Sequence, residues 1–77
     1  MDADNLVHMA NRIGEFFAAS PDRDEAEGEM ALHFLHFWEP RMRRQILQLV
    51  DSAAGEGLHP FVAEALRRHR DELMPVD

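Results

Sequence analysis

Four prolines divide this chain and limit how far any one helix can run. Proline has no backbone N–H and a fixed φ, so it fits the first turn of a helix but breaks a helix interior. Pro21, Pro40 and Pro60 each stand just before a segment with apolar residues at helical spacing, and Pro75 follows the last such segment. The spacing therefore predicts four helices, at about residues 4–19, 22–38, 40–54 and 60–73.

The apolar residues of each segment recur at the spacing of a helix, with a period of about 3.6 residues. No segment alternates with a period of two over the length that a strand requires. The sequence thus predicts an all-α fold, a small single-domain bundle of about four short helices over residues 1–77. The residues expected to form its core are Leu6, Met9, Ala10, Ile13, Phe16, Phe17, Met30, Ala31, Phe34, Leu35, Phe37, Trp38, Met42, Ile46, Leu49, Val50, Ala53, Val62, Ala65, Leu66 and Leu73.

The small size of the chain limits its stability, because it has 77 residues and no cysteine. A domain of this size buries only about 60% of the surface that its unfolded chain exposes, and often gains stability from a disulfide, a metal or a partner. The lack of cysteine excludes a disulfide, a thiolate zinc site and a cysteine-ligated iron–sulfur cluster. A histidine–carboxylate metal site or a partner remains as a source of additional stability.

Charge and hydropathy exclude two classes of partner. The chain has 15 acidic and 8 basic residues, a net charge of −7, which disfavours nucleic acid because phosphate binding requires a concentrated positive face. No apolar run approaches the roughly 20 residues of a membrane span. The N-terminus is acidic where a secretory signal is basic. We therefore expect a cytoplasmic protein that binds neither nucleic acid nor a membrane.

Side chains for nucleophilic catalysis are scarce. Ser20 and Ser52 are the only serines, both near predicted helix ends, and there is no threonine or tyrosine. The carboxylates lie in polar helical stretches, where a solvated surface is their usual role. A small helical domain also has little room for the concave pocket that most substrates need. We therefore expect no enzymatic activity and no catalytic residues.

Histidines and carboxylates provide one alternative site. Glu29, His33 and His36 share a stripe of the second predicted helix at i, i+4 and i+7, a spacing that can aim three ligands at one ion. The same stripe holds Glu25 and has no evident partner that would orient the ligands. The pattern favours a solvated polar face, so no metal is predicted, and a metal-binding regulator is kept as an alternative function.

The segment from Phe37 to Arg44 breaks local rules. Arg41, Arg43 and Arg44 occupy the first turn of the third predicted helix, where the helix dipole disfavours positive charge. They follow Trp38, the only tryptophan, and Pro40, which sets the turn. Tryptophan and arginine are enriched among binding hot spots, and local rule-breaking is expected at functional sites. We interpret the three arginines as a partner-binding surface, with Trp38 supporting it from the core.

Three stretches, in order between about Leu6 and Leu66, carry the pattern of a known family. The first is Met9-Ala10-Asn11-Arg12-Ile13 followed by Phe16-Phe17. The second runs from His33 through Phe37-Trp38-Glu39-Pro40-Arg41-Met42-Arg43, and the third is Gly55-Glu56-Gly57-Leu58-His59-Pro60 with Val62. With these motifs the chain resembles the delta subunit family of soluble, NAD-dependent, molybdenum-containing formate dehydrogenases.

The resemblance implies a non-catalytic accessory subunit that binds the catalytic alpha subunit and assists its assembly or the insertion of its molybdenum cofactor. It also implies that the bis-molybdopterin guanine dinucleotide molybdenum centre, the iron–sulfur clusters, FMN and NAD belong to the larger subunits. This chain would then bind no cofactor itself. An alternative is a chaperone that holds the molybdopterin guanine dinucleotide cofactor directly, with the arginines meeting its phosphate or pterin oxygens.

Overall fold

The computed structural model describes residues 2–76, and for Ala54 it describes the backbone alone. No strand occurs among these residues, and none of their helices is long and apolar enough to cross a membrane. The predicted all-α bundle is confirmed, with four longer helices and one short one. The elements are α1 (Ala3–Ala18), α2 (Arg23–Phe37), α3 (Pro40–Leu49), a 3-10 helix (Ala53–Gly57), α4 (Pro60–Arg68) and α5 (Arg70–Leu73).

Local sequence explains where the four longer helices begin. The carboxylates of Asp2 and Asp22 accept the backbone N–H three residues further on, at 2.8 Å and 3.1 Å, and so cap α1 and α2. Each carboxylate satisfies a donor that the first turn of a helix leaves unpaired. α3 and α4 begin instead with Pro40 and Pro60, whose missing N–H needs no acceptor.

The third helix ends at Leu49, before the expected end near residue 54. The Leu49 carbonyl accepts both the backbone N–H and the hydroxyl of Ser52, each at 2.9 Å, and these bonds turn the chain out of the helix. Gly55 then packs so closely on the end of α3 that a Cβ atom there would overlap the Leu49 carbonyl oxygen. Ala53 begins the 3-10 helix and is exposed, so the prediction that it lies in the core is wrong.

The fourth expected helix is divided at His69 into α4 and α5. His69 departs from helical backbone, with φ −104° and ψ 19°, while its N–H still donates to the Ala65 carbonyl. After this bend Leu73 is buried in the core, and the Arg70 guanidinium donates to the Leu47 carbonyl at 3.3 Å. The bend therefore lets α5 contact both α2 and α3, and so close the bundle.

One hydrophobic core receives side chains from all five helices. α1 lies at the centre of the fold, in contact with α2, α3, α4 and the 3-10 helix. The close approach of α1 to α4 depends on Gly14, where a Cβ atom would overlap Cγ2 of Val62. The fully buried side chains include Leu6, Ala10, Met30, Phe34, Ile46, Leu47, Val62, Leu66 and Leu73.

Three other residues expected in the core are exposed, namely Phe16, Leu35 and Phe37. Phe16 and Phe37 have 77% and 75% of their surface exposed. Phe16 lies beyond the edge of the buried face of α1, and Phe37 is the last residue of α2. An interior this small cannot enclose every aromatic ring. The side chains at the margin of the core are Met9, Ile13, Phe17, Met42, Leu49 and Phe61.

Long-range ion pairs join the helices. Arg67 and Arg70 both pair with Asp51, just after α3, and Arg68 reaches the buried carboxylate of Glu27 on α2 at 3.4 Å. These contacts attach α4 and α5 to the two preceding helices. The arginines that form ion pairs within the described part of the chain include Arg23, Arg67, Arg68 and Arg70.

Alanine substitutions at two helical glycines are expected to change stability in opposite directions. Gly28 lies within α2 with open space beside it, so Gly28→Ala adds helix propensity and raises the free energy of unfolding by about 1 kcal/mol. In Gly14→Ala the new methyl group meets Val62, and overpacking lowers the free energy of unfolding by about 1–3 kcal/mol. Denaturant unfolding measures both changes. Equal stabilisation by the two substitutions would contradict the close packing of α1 on α4.

Candidate functional site

Trp38 anchors the turn between α2 and α3. Its backbone N–H donates to the Phe34 carbonyl at 3.0 Å, after which the chain becomes extended and leaves the helix. The indole is buried, with only 6% exposed, and meets the Phe34 ring edge to face at a centroid distance of 4.6 Å. Its burial agrees with the interpretation of Trp38 as a core residue beneath the site. Pro40, two residues later, is exposed as the first residue of α3.

The structure places Arg41, Arg43 and Arg44 together in the first turns of α3. Arg41 is exposed, and its side chain forms no hydrogen bond or ion pair with any residue in 2–76. Arg43 is half-buried, and its Nε is buried without a hydrogen-bond partner among the described residues. Arg44 is also half-buried and does make a polar or ring contact. The first turn of α3 contains no acidic residue, and the side chain of Glu39 does not cap it.

This arrangement leaves the Arg41 guanidinium without a partner among residues 2–76. The N-terminal end of a helix carries a partial positive charge, so arginines there gain nothing from the helix dipole. A buried guanidinium N–H without an acceptor is also unfavourable. An external carboxylate at this point would balance the charge and accept hydrogen bonds from the exposed Arg41 guanidinium. The start of α3 is therefore suited to an acidic group from another molecule.

Six aromatic or imidazole rings form a continuous array from the core to the surface. His33 is the central ring, at centroid distances of 5.8 Å from Phe17, 6.5 Å from Phe34 and 4.8 Å from Phe37. Phe17 in turn meets Phe16 edge to face at 5.1 Å. The array joins the buried rings of Phe34 and Trp38 to two exposed phenyl rings. Its members are Phe16, Phe17, His33, Phe34, Phe37 and Trp38.

An open apolar groove lies along this array. The groove has a volume of about 320 Å³ and is lined by Ile13, Phe16, Phe17 and His33. We call these four residues, with the adjoining Phe37, the aromatic groove. Exposed apolar surface of this kind, beside polar residues, marks binding sites on soluble proteins. Sequence reasoning missed the groove because it assigned Phe16 and Phe37, which are exposed, to the core.

His33 therefore packs against aromatic rings, and this placement bears on the alternative metal site. Its neighbours on the same stripe, Glu29 and His36, are exposed. Within residues 2–76 the structure brings together no group of three or more histidine, aspartate or glutamate side chains that could hold a metal ion. The helical spacing i, i+4 and i+7 is thus present without the convergence of ligands that a metal requires.

The fold and the site together define a small all-α protein with an exposed aromatic groove next to arginines at a helix start, a construction typical of proteins that bind other proteins. The family model of the NADH-dependent formate dehydrogenase delta subunit, FdsD, matches residues 5–66, and the chain belongs to this family. The resemblance found in the sequence is confirmed. No curated protein and no solved structure matches the chain. The family is named for a subunit, which implies association with other formate dehydrogenase subunits.

Two phenylalanines on one helix are expected to differ sharply in their effect on stability. Phe37→Ala removes an exposed ring and lowers the free energy of unfolding by less than about 1 kcal/mol, because little surface is buried there. Phe34→Ala empties the centre of the core and costs about 3–5 kcal/mol. Thermal and denaturant unfolding of both variants tests this difference. A large loss of stability in Phe37→Ala would show that this ring belongs to the core.

Proposed function

We propose that this chain is a non-catalytic accessory subunit that binds the catalytic alpha subunit of a molybdenum-dependent, NAD-dependent formate dehydrogenase. In this role it assists the assembly of the alpha subunit or the insertion of its molybdenum cofactor. Membership of the delta subunit family supports the choice of enzyme. The observation that carries the proposal is Arg41 at the start of α3, exposed and without an ion pair among the described residues.

The binding surface proposed here consists of Arg41, Arg43 and Arg44, with Pro40 setting their position and Trp38 supporting them from the core. Arginine suits such a surface because its planar guanidinium donates several hydrogen bonds to a carboxylate at once. The half-buried position of Arg43 limits its conformational freedom, so less entropy is lost when it binds a partner. A rigid helix start presents the three groups in a fixed arrangement.

The proposal assigns no reaction and no cofactor to this chain. Ser52, one of its two serines, donates its hydroxyl hydrogen to the Leu49 carbonyl and so serves the end of α3. In the proposed complex the bis-molybdopterin guanine dinucleotide molybdenum centre, the iron–sulfur clusters, FMN and NAD belong to the larger subunits. The chain acts in the cytoplasm, together with the enzyme that it assists.

The proposal is tested by co-expressing the tagged alpha subunit with either the wild-type chain or an Arg41→Ala, Arg43→Ala, Arg44→Ala triple variant. Loss of three guanidinium groups is expected to reduce the amount of chain that co-purifies by about tenfold or more, since one hydrogen bond to a charged group contributes about 1.5–3 kcal/mol. The molybdenum content per alpha subunit is measured in the same preparations. It is expected to be lower with the triple variant.

Arg23→Ala is the matched control for loss of an exposed arginine. Arg23 lies at the opposite end of α2 from Phe37, about 21 Å away along the helix axis at 1.5 Å per residue. It pairs with Glu64 on the surface, and its removal is expected to leave capture and molybdenum content unchanged. Full capture of the alpha subunit by a folded triple variant would refute the arginine surface. Failure of the wild-type chain to co-purify would refute the proposed function itself.

A further inference from the structure

We infer that the aromatic groove binds an apolar segment of the alpha subunit that carries acidic residues near its ends. The identity of this partner rests on the proposed function, whereas the chemistry of the segment follows from the groove and the charges beside it. The inference extends the contact surface from α3 to the adjoining faces of α1 and α2. It also makes the exposed phenyl rings, rather than the arginines alone, the centre of the interface.

The apolar part of the argument rests on Phe16 and Phe37. Both rings are about three-quarters exposed, although each sits on a well-formed helix with buried residues alongside. An aromatic residue buries roughly 150–250 Å² when it is covered, so the two rings offer on the order of 250 Å² of additional burial. A specific interface buries about 800 Å² on each partner. The groove therefore has the size of an interface centre and requires a polar rim around it.

Arg12 and Arg41 are the arginines nearest in sequence to the two exposed rings. Arg12 stands one helical turn before Phe16 on α1, and Arg41 follows Phe37 by four residues, which limits their Cα separation to about 14 Å. The side chain of neither arginine forms a hydrogen bond or ion pair with a residue in 2–76, in a chain with 15 acidic residues. Carboxylates of a partner can pair with both. Glu29 stands one turn before His33 on α2 and would repel a carboxylate placed over the middle of the groove. The acidic residues of the partner segment are therefore expected near its ends.

A second copy of this chain is a poor occupant. In a two-fold contact the same surface would face itself, so one concave groove would meet another. Each copy carries a net charge of −7, and the two would repel each other at long range. A partner segment with a projecting apolar side chain and flanking carboxylates complements both the shape and the charge of the groove.

Site-specific photo-crosslinking in the co-expressed complex tests the inference. The photoreactive residue p-benzoylphenylalanine replaces Phe16 or Phe37 in separate variants, and in the control it replaces Leu32, an exposed residue of α2 outside the groove. We expect both groove positions to crosslink to the alpha subunit, with a yield about fivefold or more above that of the control. Mass spectrometry is expected to locate the crosslinks in an apolar segment with aspartate or glutamate within a few residues. Crosslinking to a second copy, or to a segment without acidic residues, would overturn the inference.

The affinity of the alpha subunit for two double variants separates this inference from the proposed function. Phe16→Ala with Phe37→Ala is expected to raise the Kd about tenfold or more, and Arg12→Glu with Arg41→Glu to raise the Kd by a similar factor and to weaken its dependence on salt. Leu32→Ala is expected to leave the Kd unchanged. If the wild-type chain binds and the phenylalanine variant binds equally well, the docking surface is wrong and the accessory function stands. If the wild-type chain does not bind, both are wrong.

Discussion

The edge-to-face contact between Phe34 and Trp38 joins the core of this protein to the turn that follows α2. Phe34 is fully buried, and Trp38 packs on it from the first residue after the helix. This contact fixes the point at which the chain leaves α2 and begins α3 at Pro40. The direction of α3 and the position of the arginines on its first turns depend on it. The aromatic array extends from the same two rings through His33 to the surface.

The small interior explains why the array continues outward. A 77-residue chain buries a limited fraction of its surface, and this one encloses Phe34 and Trp38 while leaving Phe16 and Phe37 exposed. Exposed aromatic rings that lie together form an apolar surface of the kind that partners cover. The limited size of the core and the exposed aromatic surface are thus related. The same side chains that cannot be buried within the chain are available for contact with a subunit.

The sequence was sufficient for the fold class because proline positions and helical periodicity are local properties. The same local reasoning predicted a helix to residue 54 where α3 ends at Leu49, because that end depends on packing against Gly55. The bend at His69 was likewise not predicted, since it depends on Arg70 reaching α3 from 20 or more residues away. Such contacts leave no periodic signal in the sequence.

The sequence placed the three arginines on the first turns of α3, and the structure has them there. They stood out because they break a rule of charge placement that can be read directly from the sequence. Their role in binding stays a prediction. The aromatic groove was not found, because apolar spacing on a helix does not show where the covering helices stop. Two signals bear on it in retrospect: Phe37 is the last residue of α2, and Phe16 lies at the outer edge of the apolar face of α1.

Amide hydrogen exchange of the chain, alone and bound to the alpha subunit, tests most directly whether the aromatic array and α3 form the working surface. The account predicts slower exchange on binding in the C-terminal halves of α1 and α2 and in the first turn of α3. Exchange in α4 and α5 is predicted to stay unchanged. Protection confined to α4 and α5, with none near Phe37 or Arg41, would contradict it.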